Sequence, residues 1–550
     1  VDYDEDGLPV SWTHSGGYVV EFDRVGEGIA GRVAAMRVRR GSEASVVVRR
    51  YGYDSAGNLA QEFIGDGSQA FLFGYDRDGR MTWWQDRNEE RYDYTYDADG
   101  RCVAGTSVSG TLSGRLTYDL VAQTTTVWDA NRAVFRYEWD EAGRVTLAVD
   151  PNGLATRTQW DQVGRKIAVC DPSGVSTRWG YDSHGGPVRV TDPSGVTTSV
   201  VCDQAGLPVR VTDGAGRVVN LGRDVLGRVV TVRDAAGESV AAYDVDGNVV
   251  WARDGDGVEI RYSYDGEGNL VTARDGAGRE TCYEYGRFDL CTAMVDATGA
   301  RTEFEYDPTR QLTTLTDPLG RTWRWERDAA GQVLAQIDVN GARTADERDV
   351  TGRVTSRTNA VGQHVRYGYD PSGLLTWSED QDATGTAGVR REFTYDPTGR
   401  LLNATIGDHA PGSLTITRDV LGQVTHESWI TPGAPTPTPG RPDTTAAVIN
   451  VSSSYDRAGR LVRQVTPTVR VTTWGYDDSG VMTRVVAGRY AITIDIDTAG
   501  QEISRHVVAA PEPPPTPSAQ QAEPTPTTPY PTPPPGPTPG DSPPKNTKNQ

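Results

Sequence analysis

The chain has 550 residues, with 62 Gly, 33 Pro, 24 Tyr and 13 Trp but only 8 Phe, and its hydrophobic fraction is 36%, too polar for one large solid core. Its 75 acidic against 55 basic residues leave a formal charge of -20, a field that repels nucleic acid and anionic lipid. No apolar run approaches the roughly 18 residues of a membrane-spanning helix, so neither nucleic acid nor a membrane span is expected.

The N-terminus, VDYDEDGLPV, carries no Met and no signal peptide and reads as a segment of a longer protein or a processed product. Asp2, Asp4, Asp6 and Gly7 reproduce the first half of an EF-hand loop, but Thr13 stands where the bidentate Glu is required, so turn capping is expected there and no metal site is assigned. Residues 1–50 are expected to form an irregular β segment entering a repeat array, and 101–135 to be irregular but strand-like.

From Asp140 onward Asp-x-x-Gly tetrads begin at 140, 150, 161, 171, 182, 192, 203, 213, 224, 234, 244, 254, 265 and 275. Steps alternate mostly between ten and eleven, so the unit is a pair of turns with a period near 21. Such self-similarity marks a repeat architecture. Each tetrad suits a type I turn closed by a left-handed Gly, with Asp capping the backbone two residues on. Pro151, Pro172, Pro193, Pro318, Pro371 and Pro397 fall at the favoured second position. Pro308 does too, but Arg310 replaces the glycine, and that turn is expected to be distorted. The six or seven residues between turns alternate in polarity, as in Val188-Arg189-Val190, which predicts half-buried strands and leaves no room for helices. An antiparallel meander this long cannot stay flat. With large apolar side chains scarce, a hollow wrapped sheet or spiral is expected rather than a sandwich.

The tandem Tyr-Asp-x-x-Gly-Arg-Leu units, best preserved at 395–401 and 455–461, resemble the YD repeats of the rearrangement-hotspot (Rhs) family, which also occur in insecticidal toxin-complex subunits and in teneurins. The resemblance covers about 51–507 and implies an all-β fold whose repeats coil into a hollow β-shell or spiral, often around a toxic polypeptide. Within it, ITPGAPTPTPGRPDTT is expected to form an exposed Pro-rich loop at about 430–446, and 508–550 to be a disordered Pro/Thr-rich tail.

Sequence support for chemistry is scant. His14, His184, His364, His409, His426 and His506 are scattered and read as loop or surface residues. Cys102, Cys170, Cys202, Cys282 and Cys291 show neither CxxC nor zinc-ligand spacing. Cys170 and Cys202 precede the Asp of a repeat, where other units carry Tyr or Trp, and are expected to serve as small apolar fillers. The basic residues are almost all Arg, with Lys only at 166, 545 and 548, and predict a solvated strand face with cross-strand Arg–Asp pairs. Asp171 and Asp192 head identical DPSG tetrads. The resemblance implies that paired DPxG motifs serve self-cleavage in relatives, but at the end of the shell, beside the cargo. These two lie mid-chain, where a 21-residue period makes the spacing automatic, and the distinctive C-terminal core segment of those relatives is not recognisable. No catalytic, cofactor-binding or metal residue is therefore assigned, and no cofactor. Trp83-Trp84, Trp179 with Tyr181, Trp323 with Trp325, and Trp474 with Tyr476 suit cross-strand packing or, facing outward, sugar platforms. Alternation places Trp323 and Trp325 on one face and Trp83 and Trp84 on opposite faces.

The sequence thus predicts a non-enzymatic scaffold, part of a β-shell that encloses or presents a C-terminal toxin or effector cargo of an exported protein, secreted or at the cell surface as the resemblance implies. The alternative is an extracellular adhesion module that binds a cell-surface glycan or protein. An enzymatic reading rests on Asp171 and Asp192 alone.

Overall fold

The computed structural model describes residues 1–509 except 15, 27–30, 43, 66, 308, 329, 408–411, 431–447, 468–469 and 498–499. Nearly all of the expected Pro-rich loop and tail lies outside the described residues. Residue 430 closes the strand Val424–Ile430, and 508–509 close Glu502–Ala509.

The described residues form forty-six strands and no α-helix. Each strand pairs antiparallel with its chain neighbours, from Asp2–Tyr3 against Pro9–Thr13 to Tyr490–Ile496 against Glu502–Ala509. The first fifty residues already belong to this meander. No ladder joins its first and last strands among the described residues.

The turn explains the repeat. At Asp140 the carboxylate Oδ1 accepts the N–H groups of Ala142 and Arg144 at 3.0 Å each. The Gly143 N–H donates to the Asp140 carbonyl at 2.8 Å, with Gly143 at φ 75°, where only glycine is unstrained. Arg310 takes φ 70° and makes the same bond, its N–H donating to the Asp307 carbonyl at 2.9 Å. The turn expected to be distorted keeps its form, because both closing hydrogen bonds survive; the missing glycine is expressed as backbone strain.

Strand lengths alternate between five and six residues, as in Val145–Val149, Ala155–Trp160, Lys166–Cys170 and Ser176–Tyr181. Where the Tyr or Trp before the Asp meets the next strand, that next strand carries a bulge: Trp160 pairs with Lys166 and leaves Ile167 unpaired, and Tyr181 pairs with Pro187 and leaves Val188 unpaired. Most hairpins at the other edge keep regular register. Bulges bend the bulged strand and raise its twist, and bulges that recur along one edge, with only a few at the other, make the ribbon coil.

The repeated Tyr staples that edge. Tyr264, Tyr285 and Tyr306 donate their hydroxyls to the carbonyls of Val249, Leu270 and Cys291, 15 residues back, at 2.8, 3.0 and 2.8 Å. Trp160 and Arg348 do the same to Val145 and Val333 at 2.9 and 2.8 Å. Cys202 also takes this role rather than acting as a mere filler, its thiol lying 3.6 Å from the Pro187 carbonyl. Arginines reinforce the edge. The Arg228 guanidinium donates to Asp224 Oδ2 at 2.7 Å and to the Asp244 carbonyl at 3.0 Å, and lies 4.7 Å from the Tyr243 ring centre. Many of the expected Arg–Asp pairs are thus within one turn. Cross-strand pairs include Arg301–Glu284 and Arg343–Glu326, at 2.6 Å each, as well as Arg391–Asp380 at 2.8 Å.

Contacts between remote turns set the larger shape. The turn after the eighth strand (Met81–Gln85) meets the turn after the thirty-first (Thr322–Arg327), where Asn88 donates to Asp328 at 3.2 Å. The turn after the twelfth (Thr124–Trp128) meets that after the thirty-fifth (His364–Tyr369), Asn131 donating to Asp370 at 2.8 Å. The turn after the fourteenth (Val145–Val149) meets that after the thirty-seventh (Ala387–Tyr395), Asn152 donating to Asp396 at 3.2 Å. The turn after the twentieth (Pro208–Thr212) meets that after the forty-third (Val471–Tyr476), Arg217 lying 3.2 Å from Asp477. The offset is twenty-three strands each time, so the ribbon winds back on itself. An odd offset brings opposite edges together: the plain edge of one coil docks on the bulged, Tyr-stapled edge of the next. At about 4.8 Å between strands, a coil is roughly 110 Å around and roughly 35 Å across. The wall is one sheet thick, and among the described residues its one cluster of buried apolar side chains is Tyr18, Val20 and Val38, against which Phe288 packs.

Candidate functional site: the wall and the seam between its coils

Alternation gives the wall two unlike faces. In Arg301–Tyr306, Arg301, Glu303 and Glu305 are exposed while Thr302, Phe304 and Tyr306 are half-buried, and Trp323 and Trp325 lie on the half-buried side of Thr322–Arg327. Side chains converge inside a curved sheet and splay outside it, so the crowded aromatic face is concave. Phe71, Phe73, Trp84, Tyr92 and Tyr94 form one aromatic patch on that face, with ring centres 5.0 to 6.4 Å apart. Trp83 points the other way, as alternation requires. It covers Gly74, where a Cβ would collide with the indole, and lies under Arg91 at 4.3 Å. Trp377 covers Gly368 in the same manner, under Arg390 at 4.6 Å.

The seam is polar. Asn third in a plain-edge turn, or Arg217 fifth in its own, supplies a donor, and the bulged-edge Asp supplies its Oδ2. Asp328, Asp370 and Asp477 offer that oxygen because Gln332, Leu374 and Val481 stand where turns such as those of Asp140, Asp224 and Asp349 carry the pairing Arg. Asp396 shares its Oδ2 between Arg400 and Asn152. Burial pushes its carboxyl up, but hydrogen bonds from Thr398 and Arg400 outweigh that and hold it at about 2. Asp213 is likewise lowered, burial being overcome by bonds from Ser479 across the seam and from Arg217. At the start of the ribbon the offset widens to twenty-five strands, the turn after Pro9–Thr13 meeting the turn after Glu280–Tyr285. There the Tyr18 hydroxyl accepts the Phe288 N–H at 3.0 Å.

The residues weighed from sequence fall as follows. Asp171 caps its own turn through Ser173 and Val175, and Asp192 through Ser194 and Val196. They head plain-edge turns two strands apart, about 10 Å, and no hydrogen bond joins them among the described residues. Asp4 caps its turn through Asp6 and Leu8, and no group of three or more metal-ligating side chains occurs among the described residues. All five cysteines are free thiols. His14 lies in the turn after Pro9–Thr13, as a loop residue, but is buried there at 8% exposure. It stacks on Tyr18 at 4.0 Å, and its Nδ1 accepts the Gly16 N–H. Its Nε2 sits 2.7 Å from Asp289 Oδ1. His364 and His426 lie in strands, bonded to Thr358 and Ser452, and His506 pairs with Asp495. His409 lies outside the described residues. Sequence reasoning missed the seam residues Asn88, Asn131, Asn152 and Arg217.

Seven stretches match the family described as RHS Repeat: 118–157, 160–197, 203–239, 243–280, 285–322, 311–343 and 348–387. No curated protein matches the chain. Among solved structures, TcdB2-TccC3 without its hypervariable C-terminal region is similar at TM-score 0.60 and 15% identity, over 86% of this chain and 31% of that one. TcdB2-TccC3 itself gives TM-score 0.50 and 15% identity, over 88% and 30%, and a Photorhabdus luminescens Tc holotoxin pore gives 0.50 and 15%, over 88% and 29%. At that identity the likeness shows the fold, and the chain spans about a third of the length of the chains it matches.

Proposed function

The chain is a member of the RHS-repeat family, and from that premise we propose that it is a non-catalytic scaffold, a stretch of shell wall that encloses or presents a toxin or effector of an exported protein. The observation that carries this reading is the seam that recurs at an odd offset of twenty-three to twenty-five strands, which turns a ribbon into a tube by turn-to-turn contacts alone. The turn carboxylates support it, because so many of them are bound up in capping. An aromatic concave face suits holding an unfolded chain. The similar structures contain toxin-complex components, which supports an extracellular setting and a toxin partner. The domain plan follows the same reading, with a wall that takes in the first fifty residues and runs to the strand Glu502–Ala509, followed by the Pro-rich segment.

Native gene product, detected with an antibody to the repeats, tests the proposal by limited proteolysis. A product much larger than 59.5 kDa whose additional segment resists protease, and loses that resistance when Asn88, Asn131 and Asn152 are all changed to Asp, is the expected result. Equal cleavage of that segment in both proteins would refute enclosure. The adhesion reading lacks such support: Trp83 and Trp377 on the other face are each covered by an arginine, and Trp429, though 44% exposed, shares the aromatic face with Leu414 and Phe393.

A further inference from the structure

Where the seam widens, two cavities of about 660 and 600 Å³ flank Phe288, each within the range of about 300–1,000 Å³ that ligand pockets occupy. The larger is floored by Val20, Phe22, Met36 and Val48 and walled by Trp12 and Tyr18. Three of its other lining residues, Phe288, Asp289 and Arg310, hold left-handed backbone at φ 62°, 59° and 70°. Left-handed residues other than glycine cost roughly 1–3 kcal/mol each and cluster at ligand sites. Phe288 and Arg310 line both cavities, and Asp289 lines the larger.

The charges there are largely spent. Glu62 pairs with Arg49 at 3.1 Å. Asp289 is met by His14 at 2.7 Å and by Asn269 at 2.9 Å, and Glu267 is itself engaged. Arg310 lies 5.7 Å from the Phe288 ring centre, and its guanidinium has no acidic partner among the described residues. It lines both cavities.

We propose that this site binds a small amphiphile bearing one carboxylate, with its apolar chain over Val20, Phe22, Met36 and Val48 and its carboxylate on Arg310. The inference is independent of the scaffold reading, since a wall with or without cargo carries the same cavity.

Calorimetric titration of the full chain with sodium dodecanoate, 1-dodecanol and dodecylammonium chloride, all below micelle formation, tests it. Arg310→Gly restores the ordinary residue of this turn and is expected to fold. Dodecanoate should bind the native protein and lose about tenfold or more in affinity to Arg310→Gly, while dodecanol changes less than about twofold; Arg310→Lys should retain dodecanoate binding. Absence of dodecanoate binding, equal binding to Arg310→Gly, or tighter binding of dodecylammonium would each overturn the assignment.

Discussion

A residue at the fourth place of these turns is judged almost entirely by its backbone. Gly143 has open space where a Cβ would project, so Gly143→Ala costs only the left-handed penalty of roughly 1–2 kcal/mol. Glu89 already pays that penalty at φ 65°, and Glu89→Gly should therefore stabilise by about 1 kcal/mol. Denaturant midpoints of the two variants should move in opposite directions, and a shared direction would refute backbone control. Arg310 shows what sequence conveys at this scale. The tetrad exposes the missing glycine, but whether the turn distorts or strains depends on hydrogen bonds and cavity walls supplied from elsewhere in the fold. His14 was illegible for the same reason, since its burial comes from Tyr18 and from a turn about 270 residues further along.

Strands and hairpins were plainly written, because a period of two between turn signals needs no distant information. The alternation of strand lengths was written as well, in the ten- and eleven-residue steps, but the bulge that coils the edge was not. Seam pairing was not legible in that way. Asn88, Asn131 and Asn152 look like ordinary turn residues until the coil brings Asp328, Asp370 and Asp396 beside them. A usable signal did exist for two of the three: Asn third in a plain-edge turn, matched by a bulged-edge Asp without its Arg four residues on, whereas Asp396 keeps Arg400. Asn340 repeats the Asn152 turn on the outer rim and is exposed, which makes it an internal control. Asn152→Asp sets a carboxylate against ionised Asp396 and forfeits a charged hydrogen bond, worth roughly 2 kcal/mol. Hydrogen exchange should quicken at 150–153 and 396–399 in that variant and stay unchanged in Asn340→Asp. Unchanged exchange in Asn152→Asp would mean that the seam is held by other contacts.

At the scale of the whole molecule, composition had already excluded a solid core, and the structure supplies the dimension that composition lacks. A wall one sheet thick and roughly 35 Å across should scatter X-rays in solution as a tube, with more long interatomic distances than a compact globule of the same mass; a globular distance distribution would contradict the coil. Sequence stopped short of this because circumference is fixed by which turns dock, a choice made between residues some 240 to 260 positions apart. The odd offset has a mechanical consequence. Since each lap mates its lower rim to the upper rim of the next, the wall is a screw thread whose lead is one strand length, and the thread sets bore and depth independently. Duplicating repeats would deepen the barrel lap by lap while leaving its bore untouched, so a gene could enlarge what it holds simply by lengthening.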